Sequence, residues 1–504
     1  MAAVRFLRVL LALIVVFLLL APSVSALNIG SRSIKARPSK EYSPETAWDL
    51  GSYGCGVTIA IFDEGVDDRH PYLNGKVISG FDSTAEAPVQ QVLFGNNPQP
   101  IQGSHGTPVA GLATSHGGKP FFKKENLPTW PDDALVGVAP CAWMVDVMFN
   151  DAVNGETLEQ NIVQGFEWAI KNRNNTWGDQ DASNDGIDII TMSWSPADGT
   201  KGDDAISKAA NNAVRAGIVV LGSMGNSGAQ TYRDWGAPAA ADLSLGIGNI
   251  QNARTVTRED DVITASSTRG PRPDDGDDDL YEELKPDVSS PGQGIVGTGS
   301  SKLDGREYEY VCFGPGDPAF NAFPCKTSFG GTSAATPMTA GVVALMLSAR
   351  PDLTPADIKE ILHQSAVPHP SQTPSFPLLS AKYNYTYGYG MTDAYAAVKM
   401  ALEWPGMELG KDTDADGVRD FQDNAPRNPL VAEVRMSVGA KAAGGARDTD
   451  GDGVPDERDP YPLDPHNKPT TKGGADSGGF VPGPNVLVAS LALALVVFLG
   501  RRRT

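Results

Sequence analysis

The pattern of apolar and polar positions divides the chain into regions of different texture. From Cys55 to about Leu402, short apolar runs alternate with segments in which apolar residues recur every three or four positions. CGVTIAIFD, WMVDVMF, DIITMSW and IVVLGSM are nearly unbroken apolar runs of strand length, the pattern of strands buried on both faces. Between them, Leu158, Ile162, Phe166 and Ala169 fall at helical spacing, and Ala205 to Ala216 reads as a second helix. Thr354-Pro355-Ala356-Asp357 is a helix start, with Thr354 as cap, Pro355 at the first position and Asp357 facing the unpaired amides. Ser333 opens a further helix, Ala334 to Ser348. Strand and helix in alternation predict an α/β domain: an open, mostly parallel sheet with helices on both faces.

The two ends depart from this alternation. Arg5 and Arg8, the apolar run Val9 to Leu20 and the small residues Val24-Ser25-Ala26 form a secretory signal, residues 1–26. The mature chain is expected to begin near Leu27, with 27–41 a short segment ahead of the domain at 42–403. After Trp404, Gly, Pro and Asp rise and large aliphatic residues become scarce, so a second module is predicted over 406–469. Residues 470–480 read as a flexible linker. Val486 to Gly500 is unbroken apolar sequence ahead of Arg501, Arg502 and Arg503. With the uncharged residues before it, the stretch 481–500 is about the twenty residues that cross a bilayer. The basic tail, 501–504, should then stay in the cytoplasm and hold an exported body at the outer face of the membrane.

Composition narrows the partners. The formal charge of −20 argues against nucleic acid, whose phosphates it would repel. That acidity is partly local: acidic residues cluster in Asp274 to Glu283, which reads as a solvated surface, and again beyond Asp412. Cys55, Cys141, Cys312 and Cys325 in an exported chain suggest disulfides, with three connectivities open.

The second module repeats itself. DTDADGVRDFQD and DTDGDGVPDERD each place carboxylates at positions 1, 3, 5, 9 and 12, with Gly at 6 for a sharp turn. Asp412, Asp414, Asp416, Asp420 and Asp423 form one set; Asp448, Asp450, Asp452, Asp456 and Asp459 form the other. Val418 and Val454 would add backbone carbonyls. Hard oxygen donors in this number suit Ca2+, here in a structural role.

Open α/β sheets present ligands at the carboxyl ends of their strands, so reactive side chains are sought there. Asp63 closes the strand VTIAIF, His105 leads HGTPVAG into a helix, and Ser333 stands at a helix N-terminus, where developing negative charge is favoured. A serine hydroxyl is a weak nucleophile until a histidine takes its proton, and that histidine needs a carboxylate to fix its tautomer. Of the six histidines, His105 alone sits among residues small enough to let two other loops approach.

IAIFDEGVD, HGTPVAG and GTSAATP resemble the Asp, His and Ser motifs of the subtilisin-like serine proteases, in that family's order, within a resemblance running from about Tyr42 to Met400. The resemblance implies Ser333 as nucleophile, His105 as general base and then acid, and Asp63 as its orienter, with no catalytic cofactor. GSMGNSG resembles the oxyanion-hole segment, implying Asn226 as a donor. TMSWS resembles the strand that pairs with the substrate backbone, implying Ser193, Trp194 and Ser195, with Gly225, around the first specificity pocket. In the resembled fold the strands after Cys55 and Cys141 are parallel neighbours, implying Cys55–Cys141 and leaving Cys312–Cys325 to close a surface loop. Two positions depart from the family pattern: Glu64 replaces the usual Ser or Thr, and Ser195 stands where many relatives have Gly. Residues 27–41 are too few for the folded propeptide of many relatives.

The acidic repeats resemble thrombospondin type 3 repeats. FVPGP before the apolar stretch resembles sorting tails in which the helix is exchanged for a lipid, and a plain single span is the alternative. Together these imply a secreted, membrane-tethered serine endopeptidase acting on proteins or peptides. The alternative is an inactive protease-like scaffold used for calcium-dependent adhesion or binding.

Overall fold

The computed structural model describes residues 26–83, 105–119, 128–131, 134–149, 157–177, 183–194, 199–229, 236–253, 255–276, 279–303, 306–307 and 326–405. All of them belong to the first of two units, Met1–Ala443 and Gly444–Thr504. Residues 1–25 of the expected signal, the acidic repeats with their ten Asp residues, the linker, the 481–500 stretch, Ser195, Cys312 and Cys325 lie outside the described residues.

In chain order the elements are α1 (Ala26–Ser33), β1 (Thr58–Asp63), β2 (Val77–Asp82), α2 (Gly106–Thr114), β3 (Trp143–Met148), α3 (Leu158–Asn172), β4 (Ile189–Met192), α4 (Ala205–Arg215), β5 (Val219–Ser223) and β6 (Leu245–Gln251). Then follow β7 (Val262–Ile263), β8 (Val288–Pro291), β9 (Ile295–Thr298), β10 (Lys302–Leu303), β11 (Arg306–Glu307), β12 (Lys326–Phe329), α5 (Thr332–Ala349), α6 (Pro355–Ser365) and α7 (Ala394–Glu403). Eight strands form one sheet in the order β2-β3-β1-β4-β5-β6, with β8 parallel and β7 antiparallel to β6. The pairings from β2 through β6 are all parallel.

β1 lies at the middle of this order, and burial of all six of its residues follows from cover on both faces. Alternation along the strand sends Ile59 and Ile61 into the layer that holds α2 and α5. Phe62 points to the other face, where its ring lies 4.9 Å from Phe166 of α3. α5 is apolar all round and buried from Thr332 to Leu347. By length and composition it could cross a bilayer, but 89% of it is enclosed by the domain, which makes it a core helix.

Thr157 with Gln160, and Thr354 with Asp357, form reciprocal caps at the starts of α3 and α6. Part of the short N-terminal segment is core: Ile29, Ile34 and Ala36 are buried. There the Ile34 carbonyl accepts the Ala394 N–H at 2.7 Å, and Lys35 reaches Asp393 at 3.2 Å. Cys55 and Cys141 are joined, with Cα atoms 4.6 Å apart, just ahead of the paired strand starts Thr58 and Trp143.

Candidate active site

The chain leaves β1 toward β2 and β3 on one side, then crosses to β4, β5 and β6 on the other. This reversal opens a crevice at the carboxyl ends of the strands flanking β1, the usual ligand position of such a sheet. Asp63 is the last residue of β1, Ser193 and Trp194 follow β4, and Gly225 and Asn226 follow β5. His105 immediately precedes α2, and Ser333 lies in the first turn of α5. That helix begins at Thr332, two residues ahead of the Ala334 start expected from its sequence, after Gly331 at φ of 94°.

Asp63 is fully buried, and His105 is 29% exposed. Nδ1 of His105 lies 2.9 Å from both carboxylate oxygens of Asp63. An ionised carboxylate only accepts, so Nδ1 carries the hydrogen and Nε2 keeps its lone pair. Gly106 makes this approach feasible: a Cβ there would fall 2.3 Å from the Gly65 carbonyl oxygen and 3.1 Å from Asp63 Cβ. Burial disfavours the charged imidazole, but the charge and hydrogen bond of Asp63, with the charge of Glu64, outweigh it and raise its pKa. The Phe329 ring, at the end of β12, meets the His105 ring edge-on at 5.0 Å.

Ser333 is 8% exposed and is tied to the exit of β4 by two bonds. Its hydroxyl donates to the Ser193 carbonyl at 3.0 Å, and the Ser193 hydroxyl donates to the Ser333 carbonyl at 2.9 Å. The second bond has a cause four residues on. Pro337 has no N–H, so the Ser333 carbonyl lacks its helical donor and the Ser193 hydroxyl takes that place. Asn226 Oδ1 accepts both the N–H of Thr332, at 3.0 Å, and its hydroxyl, at 3.2 Å. This fixes which end of the amide is the acceptor and leaves the nitrogen as donor. Gly331 is needed beside it, since a Cβ there would meet Oδ1 at 2.9 Å. Trp194 packs edge-on against Phe149 at 5.9 Å.

Of the residues singled out in the sequence, Asp63 and His105 are bonded to each other, Ser333 to Ser193, and Asn226 to the residue before Ser333. Phe329, Thr332, Pro337 and the acceptor role of Glu64 carry no signal in isolation. The signal that was available is their crowding into the same short segments as the reactive residues.

The acidic stretch Asp274 to Glu283 is not simply a solvated surface. Arg272 is buried behind it and donates to Asp242 at 2.5 Å, Glu282 at 2.8 Å and Glu283 at 2.9 Å, with Asp275 at 3.5 Å. The carboxylates of Asp242, Asp275 and Glu282, and those of Asp274, Asp275 and Glu283, are close enough to share a hard cation. Most of these carboxylates already have the guanidinium as their counter-charge.

A parallel α/β sheet with these groups at its central strand exits is a subtilisin-like arrangement. The sequence matches the Subtilase family over residues 54–390. It is 29% identical over 316 residues to the serine protease AprX of Bacillus subtilis, covering 61% of each chain. To the calcium-dependent protease of Nostoc sp. it is 28% identical over 409 residues, 74% of this chain and 50% of that one. To subtilisin E of Bacillus subtilis it is 28% identical over 317 residues, 63% and 62% of the two chains. The chain thus spans between half and two thirds of the length of these relatives. The fold is shared with fervidolysin from Fervidobacterium pennivorans, at a TM-score of 0.51 and 22% identity, covering 73% of this chain and 45% of that one. The chain belongs to the Subtilase family.

Proposed function

We propose that the chain is a serine endopeptidase in which Ser333 attacks the peptide carbonyl, His105 moves the proton and Asp63 holds the imidazole. The observation that carries this reading is the His105 ring gripped through Nδ1 by both oxygens of a fully buried carboxylate. In the reaction the Ser333 hydroxyl turns from the Ser193 carbonyl and gives its proton to Nε2 as Oγ bonds to the carbonyl carbon. The carbonyl electrons move to oxygen, where the Asn226 amide and the Ser333 backbone N–H at the start of α5 meet the new charge. The imidazolium then protonates the departing amine, and water repeats the sequence on the acyl-serine. Ser193, Trp194, Ser195 and Gly225 are the proposed contacts for the substrate backbone and its first side chain.

The reading extends to an exported protein held at the outer membrane face by 481–500, or by a lipid in its place. Calcium would be bound by Asp412, Asp414, Asp416, Asp420 and Asp423 and by Asp448, Asp450, Asp452, Asp456 and Asp459. These carboxylates supply the hard, acceptor-only donors that Ca2+ prefers, and the ion would neutralise their mutual repulsion. A fluorophosphonate probe on the full-length protein tests the chemistry. Labelling and casein digestion by the wild type, both lost in Ser333→Ala, are expected; a folded wild type that takes no label would leave a binding scaffold instead.

A further inference from the structure

Glu64 has no part in the proposed proton relay, yet it is joined to it twice, once through its carboxylate and once through its backbone. Oε1 accepts the backbone N–H of His105 at 2.8 Å, and the backbone N–H of Glu64 donates to Asp63 Oδ1 at 2.9 Å. His105 stands at the head of α2, where amide hydrogens lack helical acceptors, and its own side chain caps none of them. A carboxylate is favoured at that end of a helix. Among the described residues, the charged groups facing Glu64 are Asp63 at the end of β1 and His105 at the start of α2. The first opposes its negative charge and the second supports it.

We propose that Glu64 is a positioning residue for the reaction: by accepting the His105 N–H it seats the base at the start of α2. By adding a second negative charge beside the imidazole, it sets the pH at which that base becomes free to act. The proposal rests on His105 being the base. Two separable duties follow from the geometry. The acceptor oxygen fixes the backbone from which the ring projects, a duty that an uncharged amide can also perform. The charge favours the imidazolium, so it stabilises the protonated base formed in the transition state while delaying its deprotonation as pH rises. Burial, and then the Asp63 charge, push the Glu64 carboxyl upward against the pull of His105, so the second charge is drawn in at a cost that a surface glutamate would not bear.

The charge is tested without catalysis. In full-length Ser333→Ala with 15N-labelled histidine, the His105 ring is titrated by NMR and compared with Ser333→Ala/Glu64→Gln. The midpoint is expected to fall by roughly one pH unit without the carboxylate charge. An unmoved midpoint would overturn the electrostatic half of the proposal. With Ser333 present, Glu64→Gln should shift the acidic limb of kcat/KM downward by the same amount. Glu64→Ala should lose a further 10- to 100-fold or so in kcat at similar KM, the scale on which a displaced catalytic group is felt. Equal kcat for the Gln and Ala variants would overturn the positioning half, and if the Ala variant fails to fold, Glu64→Asp, whose shorter side chain withdraws the acceptor, takes its place. A failure of the protease reading shows separately, as absent probe labelling in a protein whose His105 still titrates.

Discussion

Asn226 has one acceptor atom and two donor hydrogens, and Thr332 occupies the acceptor twice. What the side chain has left to give is a donor, the role proposed for it alongside the backbone N–H of Ser333. Asn226→Ala should therefore lower kcat by about 100- to 1,000-fold with little change in KM, a magnitude taken from the equivalent loss in subtilisin. Steady-state kinetics on a chromogenic peptide would check it, and an unchanged kcat would remove Asn226 from the oxyanion site. At this scale Asp63, His105, Ser333 and Asn226 could be singled out in the sequence because the proposed chemistry demands particular residue types among small neighbours. Glu64 and Phe329 were not legible as neighbours of His105. A side chain that accepts from a backbone amide, or leans a ring on another ring, leaves no periodic mark. Pro337 reads as a helix breaker until its missing N–H is matched with the Ser193 hydroxyl.

The elements divide by composition. β1, β3, β4 and β5 are written in Val, Ile, Phe, Met and Leu and stand out as apolar runs. β2 (VISGFD), β6 (LGIGNIQ) and β8 (VSSP) are buried too, except at the last residues of β2 and β6, but are interrupted by Gly and Ser, so their apolar signal dissolves. In β8 the buried Ser290 hydroxyl is satisfied by its neighbours, meeting those of Thr339 and Thr392, each at 2.8 Å. The start of α6 was legible in full. Thr354 Oγ1 accepts the Asp357 N–H at 3.2 Å, and Asp357 Oδ2 accepts the Thr354 N–H at 2.9 Å. Asp357 Oδ1 also accepts from Trp404, just beyond α7, at 3.1 Å. Thr354→Ala should cost about 1 kcal/mol in urea unfolding, and no loss would mean that water caps the helix equally well.

For the whole molecule, the sequence separates a mixed α/β body from an acidic, aliphatic-poor module and an apolar tail. The body's outer limit was harder to read, because α1 and the residues after it are short and only partly apolar, and their burial depends on distant partners such as Ala394 and Asp393. The proposed calcium dependence belongs to this scale. Hydrogen exchange on the full-length protein should show residues 406–469 protected with calcium and exposed after chelation. Exchange there that ignores calcium would overturn the proposed calcium binding. Membrane fractionation with and without 481–504 checks the anchor, since equal retention of both forms would rule it out.

The proposed catalytic groups are knit together by contacts that close over 42, 106 and 140 residues of chain. None of these is a local bond, and the last partner to appear, α5, is the helix at the heart of the fold. A chain made only as far as Gly330 holds the proposed base and its carboxylate but not the proposed nucleophile. On the proposed mechanism, topology therefore orders assembly: the nucleophile can join the base only after the strands β1 to β6 have all been made, so a chain cut short before Ser333 would carry no working site.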